Sequence, residues 1–278
     1  MAASSYMVPI PVAGDRFGIV PSPVRAPGCP PIGDPMSVTA TLLSPLLANG
    51  SARPLVTHYD EATGGRVELS RATLGNWAAK TANWLTEELD IEPGMPVAVR
   101  LPAHWQTAGI LLGAWWCGAR ITDSASGAEA AFVPGQRISE GEGARTVLAV
   151  GLDALGGSMP GLGGEVLDFA SEVRVRGDEF TPLLPVPGDT PALLESTMDE
   201  LVKTARQRAT TLGIGGQDRV LSTLEWTMPE GVLDGLLAVL AGGASLVQLT
   251  GLPEGDNTEL LDKRRSDEKT TVELGTAG

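Results

Sequence analysis

The chain has 278 residues, 42% of them hydrophobic, and a formal net charge of −14. That length holds one large or two small domains and buries a sizeable core. The acidic balance excludes non-specific nucleic-acid binding, which needs lysine and arginine to displace phosphate counterions, and it excludes docking to an anionic membrane surface. There are two cysteines, Cys29 in a Pro-rich stretch and Cys117 in an apolar run, so neither a disulfide framework nor a metal cluster is expected. A reducing, cytoplasmic setting fits that usage.

Residues 1–35 are dense in Pro, Gly and Ser and are expected to be a disordered extension ahead of one domain over 36–278. No basic start followed by an apolar core marks a signal peptide. Ser70 reads as a helix N-cap, followed at helical spacing by Leu74, Trp77, Ala78, Thr81, Trp84, Leu85 and Leu89. A Glu92-Pro93-Gly94 turn leads to a buried strand over 96–101, a helix from about Trp105 to Cys117 that stops at Gly118, and a strand from Arg120. Strand-like runs follow at Ala130–Val133, Thr146–Val150 and Val166–Ala170, with a polar stretch reaching Asp189.

The second half repeats the order. Ser196 or Thr197 caps a helix through Leu201, Ala205, Ala209 and Leu212. A glycine turn, a strand over 219–224, a helix over 231–240 ending at Gly242-Gly243, and a strand over 245–249 complete it. Val97 overlays Val220, Leu101 overlays Leu224, and Gly118-Ala119 overlays Gly243-Ala244. The fold class is therefore α/β: two related α-β-α-β units, about 41–125 and 190–275, with parallel strands flanked by helices and a middle segment between. The apolar window Val232–Leu249 carries Asp234, Gly235, Gly242 and Gly243, and reads as helix, turn and strand rather than a membrane span.

The stretch Leu89–Pro102, LDIEPGMPVAVRLP, resembles the GDRVAVxLPN strand of the adenylate-forming superfamily, which includes acyl-CoA synthetases and peptide-synthetase adenylation domains. Val67–Ser70 with the following helix, Leu111–Ala119, Leu212–Leu221, Gly235–Ala244, and Glu259–Leu261 with Lys269–Gly275 are similar to further family segments in the same order. The chain looks like one of a set of shortened bacterial proteins related to AMP-dependent synthetases, and spans about the first half of a typical superfamily member. The resemblance implies that a glycine-rich, lysine-bearing phosphate loop belongs between Val186 and Met198. The residues there are VPGDTPALLESTM, with no glycine-rich turn, no lysine, and Glu195 placed where its charge repels a triphosphate. The family's adenine and magnesium motif, its ribose-binding aspartate and its catalytic lysine are likewise expected to be missing. The family's aromatic-histidine stretch corresponds to Glu225–Gly231, where only the glycine agrees and Met228 takes the histidine position.

The reading that follows is a non-catalytic derivative with no catalytic residue, no cofactor and no metal. Its expected role is as a module for a small acyl-type ligand or a protein partner, with self-association as a further expectation. The alternative is a split or divergent acid ligase completed by another chain. His104, Trp226, Thr227, Met228 and Gly231 are the candidates for an apolar pocket, because they lie just beyond strand carboxyl ends, where α/β folds bind ligands. Gly213–Asp218 follows a helix and precedes a strand, so it reads as a helix cap and turn and not as a phosphate loop. Gly156–Gly164 reads as a plain loop, His58 as a lone histidine, and Asp168 with Glu172 as surface carboxylates.

Overall fold

The computed structural model describes residues 37–275, all within one compact unit; the 1–35 extension lies outside the described residues. In chain order the elements are α1 (Val38–Leu42), α2 (Ser44–Ala48), β1 (Pro54–Asp60), β2 (Gly65–Ser70), α3 (Arg71–Leu89), β3 (Pro96–Val99), α4 (Trp105–Trp116), β4 (Arg120–Thr122) and β5 (Ala130–Pro134). A 3-10 turn (Gly135–Gly141), β6 (Thr146–Val150), β7 (Leu167–Asp168), α5 (Phe169–Arg174), β8 (Pro191–Leu193), β9 (Ser196–Thr197) and α6 (Met198–Thr211) follow. The remainder comprises β10 (Arg219–Ser222), α7 (Glu230–Val232), a π segment (Leu233–Leu237), α8 (Ala238–Gly242), β11 (Ser245–Thr250), α9 (Thr258–Glu268) and β12 (Val272–Leu274).

The strands form two sheets, one ordered β12-β10-β11-β1-β2 and the other β7-β6-β5-β3-β4-β8-β9. All neighbours are parallel except the β1–β2 and β8–β9 pairs. One hydrophobic cluster joins a face of each sheet to α3, α4, α6 and α8. Helix α4 touches strands of both sheets, and eleven of its twelve residues are buried, which explains why its sequence is apolar all round. On the other face of the five-stranded sheet, Tyr59, Leu221, Val247 and Leu249 pack with Leu261 of α9. Among the described residues, no helix is long and apolar enough to cross a membrane.

The two halves repeat locally but share strands between the sheets: β1 and β2 of the first unit pair in the sheet of β10, β11 and β12, and β8 and β9 of the second join the sheet of β3 and β4. Strands β3 and β4 are adjacent and parallel, as are β10 and β11. Each intervening helix ends the same way: Gly118 at φ +88° and Gly243 at φ +79° adopt the left-handed conformation open to glycine. The next amide then reaches back into the helix, Ala119 N–H to Ala114 O and Ala244 N–H to Val239 O.

The structure departs from the sequence reading at four places. Val166–Ala170 is only a two-residue strand, because Asp168 caps α5 by accepting from the Ser171 amide at 2.7 Å. The helix expected over 231–240 contains the π segment. Strand β1, an interior strand of its sheet, was not anticipated, and neither were the short strands β8 and β9.

Candidate functional site

A cleft of about 410 Å³ opens at the carboxyl ends of β3 and β10, between the two sheets. From the first half come Val99–Pro102, Asp123, Arg137 and Glu140; from the second come Glu225, Trp226, Thr227 and Met228. Arg100 and Arg137 share one carboxylate: Arg100 Nε lies 3.3 Å and Arg137 Nη1 3.0 Å from Glu140. Arg100 Nη1 also donates to the Asp123 carbonyl at 2.8 Å. These partly exposed pairs add little stability, but they orient both guanidiniums on the rim. With Asp123, Glu140 and Glu225 present, three carboxylates stand against two guanidiniums, so a polyanion meets net repulsion there.

Of the five candidate residues, three line the cleft: Trp226, Thr227 and Met228. The lining is mixed polar and apolar, because Arg100, Asp123, Arg137, Glu140 and Glu225 come with them; spacing along the chain gives no sign of those neighbours. The one local signal was Arg100, placed at the end of an otherwise apolar strand. Trp226 is 4% exposed, and its indole packs on Gly235 in the π segment. Gly231 stands behind the wall, where its amide donates to the Thr227 carbonyl at 2.8 Å and an added methyl group would meet the Glu225 carbonyl.

His104 is not part of the cleft wall. It is the N-cap of α4, its Nδ1 accepting from the Gln106 amide at 3.1 Å, and it is 4% exposed. Its ring meets that of His58, with centroids 4.4 Å apart at an edge-to-face angle of 71°. The Thr250 hydroxyl donates to the Tyr59 carbonyl, so it accepts from His58 Nε2 at 2.9 Å, which fixes the proton on that nitrogen. Burial lowers His58 to a pKa of about 4 despite the opposing charge of Asp60. Burial, reinforced by His58, lowers His104 to about 3. Both imidazoles are thus neutral hydrogen-bonding groups in the core, and neither is poised as a base near neutrality.

The stretch Val186–Met198 closes on itself. Strands β8 and β9 pair antiparallel with Leu193 opposite Ser196, so only Leu194 and Glu195 form the turn. Helix α6 then begins with a reciprocal cap. The Thr197 hydroxyl accepts from the Glu200 amide at 3.3 Å, and the Glu200 carboxylate accepts from the Thr197 amide at 3.0 Å. Those bonds hold Glu200 below the usual carboxylate range and place a negative charge at the helix start. An anion cradle needs amides aimed at open space; here the capping amides are committed and a carboxylate occupies the position.

The remaining sequence candidates have structural roles. Asp218 accepts from the Gly215 amide and the Thr271 hydroxyl, each at 2.7 Å, which makes Gly213–Asp218 a tied turn. Glu172 accepts from Trp84 Nε1 at 3.1 Å, and among the described residues no group of acidic, histidine and cysteine side chains is placed to hold a metal. Cys117 is buried, which pushes its thiol up to about 12 and leaves it unreactive.

This two-sheet arrangement is the fold of the amino-terminal part of acyl-CoA and aryl-CoA ligases. The chain is similar to an acyl-CoA synthetase from Brucella canis, with a TM-score of 0.70 and 18% identity over 87% of this chain and 48% of that one. It is also similar to the anthranilate CoA ligase AuaEII solved with anthranoyl-AMP (TM-score 0.70, 13% identity, 87% and 50% coverage). A benzoate CoA ligase from Burkholderia xenovorans LB400 matches with a TM-score of 0.67 and 17% identity, over 86% of this chain and 50% of its own. The chain thus spans about half the length of these solved structures. No family model matches the sequence. A curated Mycobacterium tuberculosis (strain ATCC 25618 / H37Rv) protein, described as a TIGR03089 family protein, is 39% identical over 244 residues, covering 85% of this chain and 98% of the relative. The chain belongs to that TIGR03089 family.

Proposed function

We propose that this chain is a non-catalytic derivative of the adenylate-forming fold that holds a small acyl-type carboxylic acid in the cleft beside Trp226–Met228. The observation that carries this reading is the two-residue β8–β9 turn at the place where the resembled ligases cradle ATP phosphates. Adenylation stabilises developing charge on a phosphoryl group, and losing a single positioning donor from such a site costs about two to three orders of magnitude in rate. A hairpin bearing Glu195 and followed by a capped helix has no replacement for the loop. Trp226 and Met228 give a small ligand apolar contact, and Arg100 and Arg137, both paired with Glu140, keep further N–H groups on the rim. A role in the cytoplasm accords with this reading.

Calorimetric titration with a panel of short aliphatic and aryl carboxylic acids, and separately with MgATP, tests the proposal. At least one acid should bind, and Met228→Arg should remove that binding. MgATP should give no saturable heat; an ATP Kd on the order of 10 μM or tighter, about −7 kcal/mol or more, defeats the reading. Coverage of only half of the solved ligases favours a second reading, a split ligase completed by another chain. That version requires the partner to bring its own phosphate loop, since β8 and β9 are joined directly here. Recovery of no such chain in pull-downs from the native host removes it.

A further inference from the structure

The segment between α5 and β8 runs along α3 toward the end of α4 as a strap. Lys80 Nζ donates to the carbonyls of Arg174 and Arg176, and Asn83 Nδ2 donates to those of Gly177 and Glu179 at 3.1 and 2.9 Å. The Phe180 ring then meets Trp116 edge to face, with centroids 5.9 Å apart. Beyond that anchor comes Thr181–Pro185, with the sequence TPLLP, and its leucines stand in solvent: Leu183 is 85% exposed and Leu184 48%. A groove of about 230 Å³ lies between this run and the carboxyl end of α3, walled by Ile91, Pro93, Phe180 and the two leucines. A second groove, of about 460 Å³, lies on the α1 side, where Ala40 and Trp116 join Pro182, Leu183 and Leu184. None of these residues lines the cleft beside Trp226.

A single exposed leucine is ordinary, but adjoining leucines and prolines that wall two grooves form an apolar patch, and such a patch marks a contact surface. The charge around the first groove selects the partner. Asp90 and Glu92 line it, while Glu87, Glu88, Asp178 and Glu179 stand along the end of α3 and the strap. Arg176 pairs with Glu87 and Glu88, and Lys80 pairs with Asp178, so these two cations are already engaged and the rim stays negative. That charge disfavours two occupants. A second copy seated face to face sets acidic rim against acidic rim, and an anionic bilayer is repelled in the same way. The complement is a peptide segment with apolar side chains for the grooves and lysine or arginine beside them. We propose that the grooves on either side of Leu183 and Leu184 form a docking site for a basic, apolar segment of a partner protein.

Fluorescence anisotropy of a short labelled peptide of leucine and lysine, titrated with the full chain, tests this. The peptide should bind, and its affinity should fall as salt rises. Replacing its leucines with serine should weaken binding about tenfold or more, as expected when a buried leucine contact is lost. Replacing its lysines with glutamate should abolish binding. A Leu183→Ser, Leu184→Ser double variant should weaken binding about tenfold, and Glu92→Lys should weaken it as well. All three positions are exposed, so the urea midpoints should stay unchanged. No binding, equal binding of the serine or glutamate peptide, or equal affinity in the leucine double variant overturns the proposal. Two further outcomes overturn it by naming another occupant. Sedimentation in which the unaltered chain self-associates and the double variant is monomeric identifies a second copy. Flotation with phosphatidylserine vesicles that is lost in the double variant identifies a bilayer.

Discussion

Replacing Trp115 with alanine is expected to lower the unfolding free energy by about 3–5 kcal/mol. Trp115 is fully buried in α4, the helix that touches both sheets, and its Nε1 donates to the Ala192 carbonyl at 2.9 Å. That bond fastens the central helix to β8, the first strand of the β8–β9 hairpin. Truncation removes the ring's contacts, leaves a cavity that a close-packed core fills only partly, and orphans the Ala192 carbonyl. Trp115→Phe separates the effects. It keeps most of the apolar volume and loses the hydrogen bond, so a cost of about 1–3 kcal/mol is expected, mainly for the unpaired carbonyl. Urea unfolding with an unchanged m-value checks both figures. A loss below about 1 kcal/mol for the alanine variant is far outside the range for a buried tryptophan and contradicts the central placement of α4.

Acidification is the second large effect. His58 and His104 are held neutral by burial, with pKa values of about 4 and about 3, while the unfolded chain titrates near the ordinary value of 6.5. Below 6.5 the unfolded chain therefore binds more protons than the folded one. Stability is full above that pH and falls as the pH drops through 6.5 toward the folded values, by up to about 1.4 kcal/mol per pH unit for each histidine. Glu268 does not share this window. Burial works to raise its pKa, but hydrogen bonds from Tyr59, Arg219 and Arg66 hold it down at about 2, against an ordinary 4.5. Its contribution is fully present above 4.5 and is lost only below that, as the pH falls toward 2. Urea midpoints at about pH 7 and about pH 5 isolate the histidine effect. The midpoint should fall in the unaltered protein and stay nearly flat in a His58→Gln, His104→Asn double variant. Asparagine retains an acceptor for the α4 cap while removing the titration. An equal fall in both proteins shows that other groups carry the dependence.

The elements legible from the sequence were those whose burial follows a single period. Helix α3 shows a one-sided stripe, and β3, β10 and β11 are short apolar runs next to glycine turns. Strand β1 escaped notice because its buried residues include Thr57 and His58, and polar side chains inside a strand mask the apolar pattern. Those side chains are buried because each has a partner far along the chain, Arg219 for Thr57 and Thr250 for His58, which only the fold brings close. Strands of two or three residues, such as β8 and β9, have no period to detect, and the π segment is a local widening inside an otherwise helical run.

The candidate site divides along the same line. Trp226, Thr227 and Met228 were accessible to sequence reasoning because position alone, just past a strand's carboxyl end, marks such residues. Asp123, Arg137 and Glu140 reach the same cleft from other loops, and no local pattern announces them. His104 lies outside that cleft wall, and its neighbour His58 and its capping bond appear only in three dimensions.

The most direct test of the account is ATP–pyrophosphate exchange by the purified full-length chain with magnesium and a panel of carboxylic acids. The account predicts radiolabel incorporation at background for every acid, including any that binds in the cleft. Acid-dependent exchange above background, abolished by mutating a residue of the β8–β9 hairpin, would show that this polypeptide activates carboxylates through a cradle of its own, and would contradict the account.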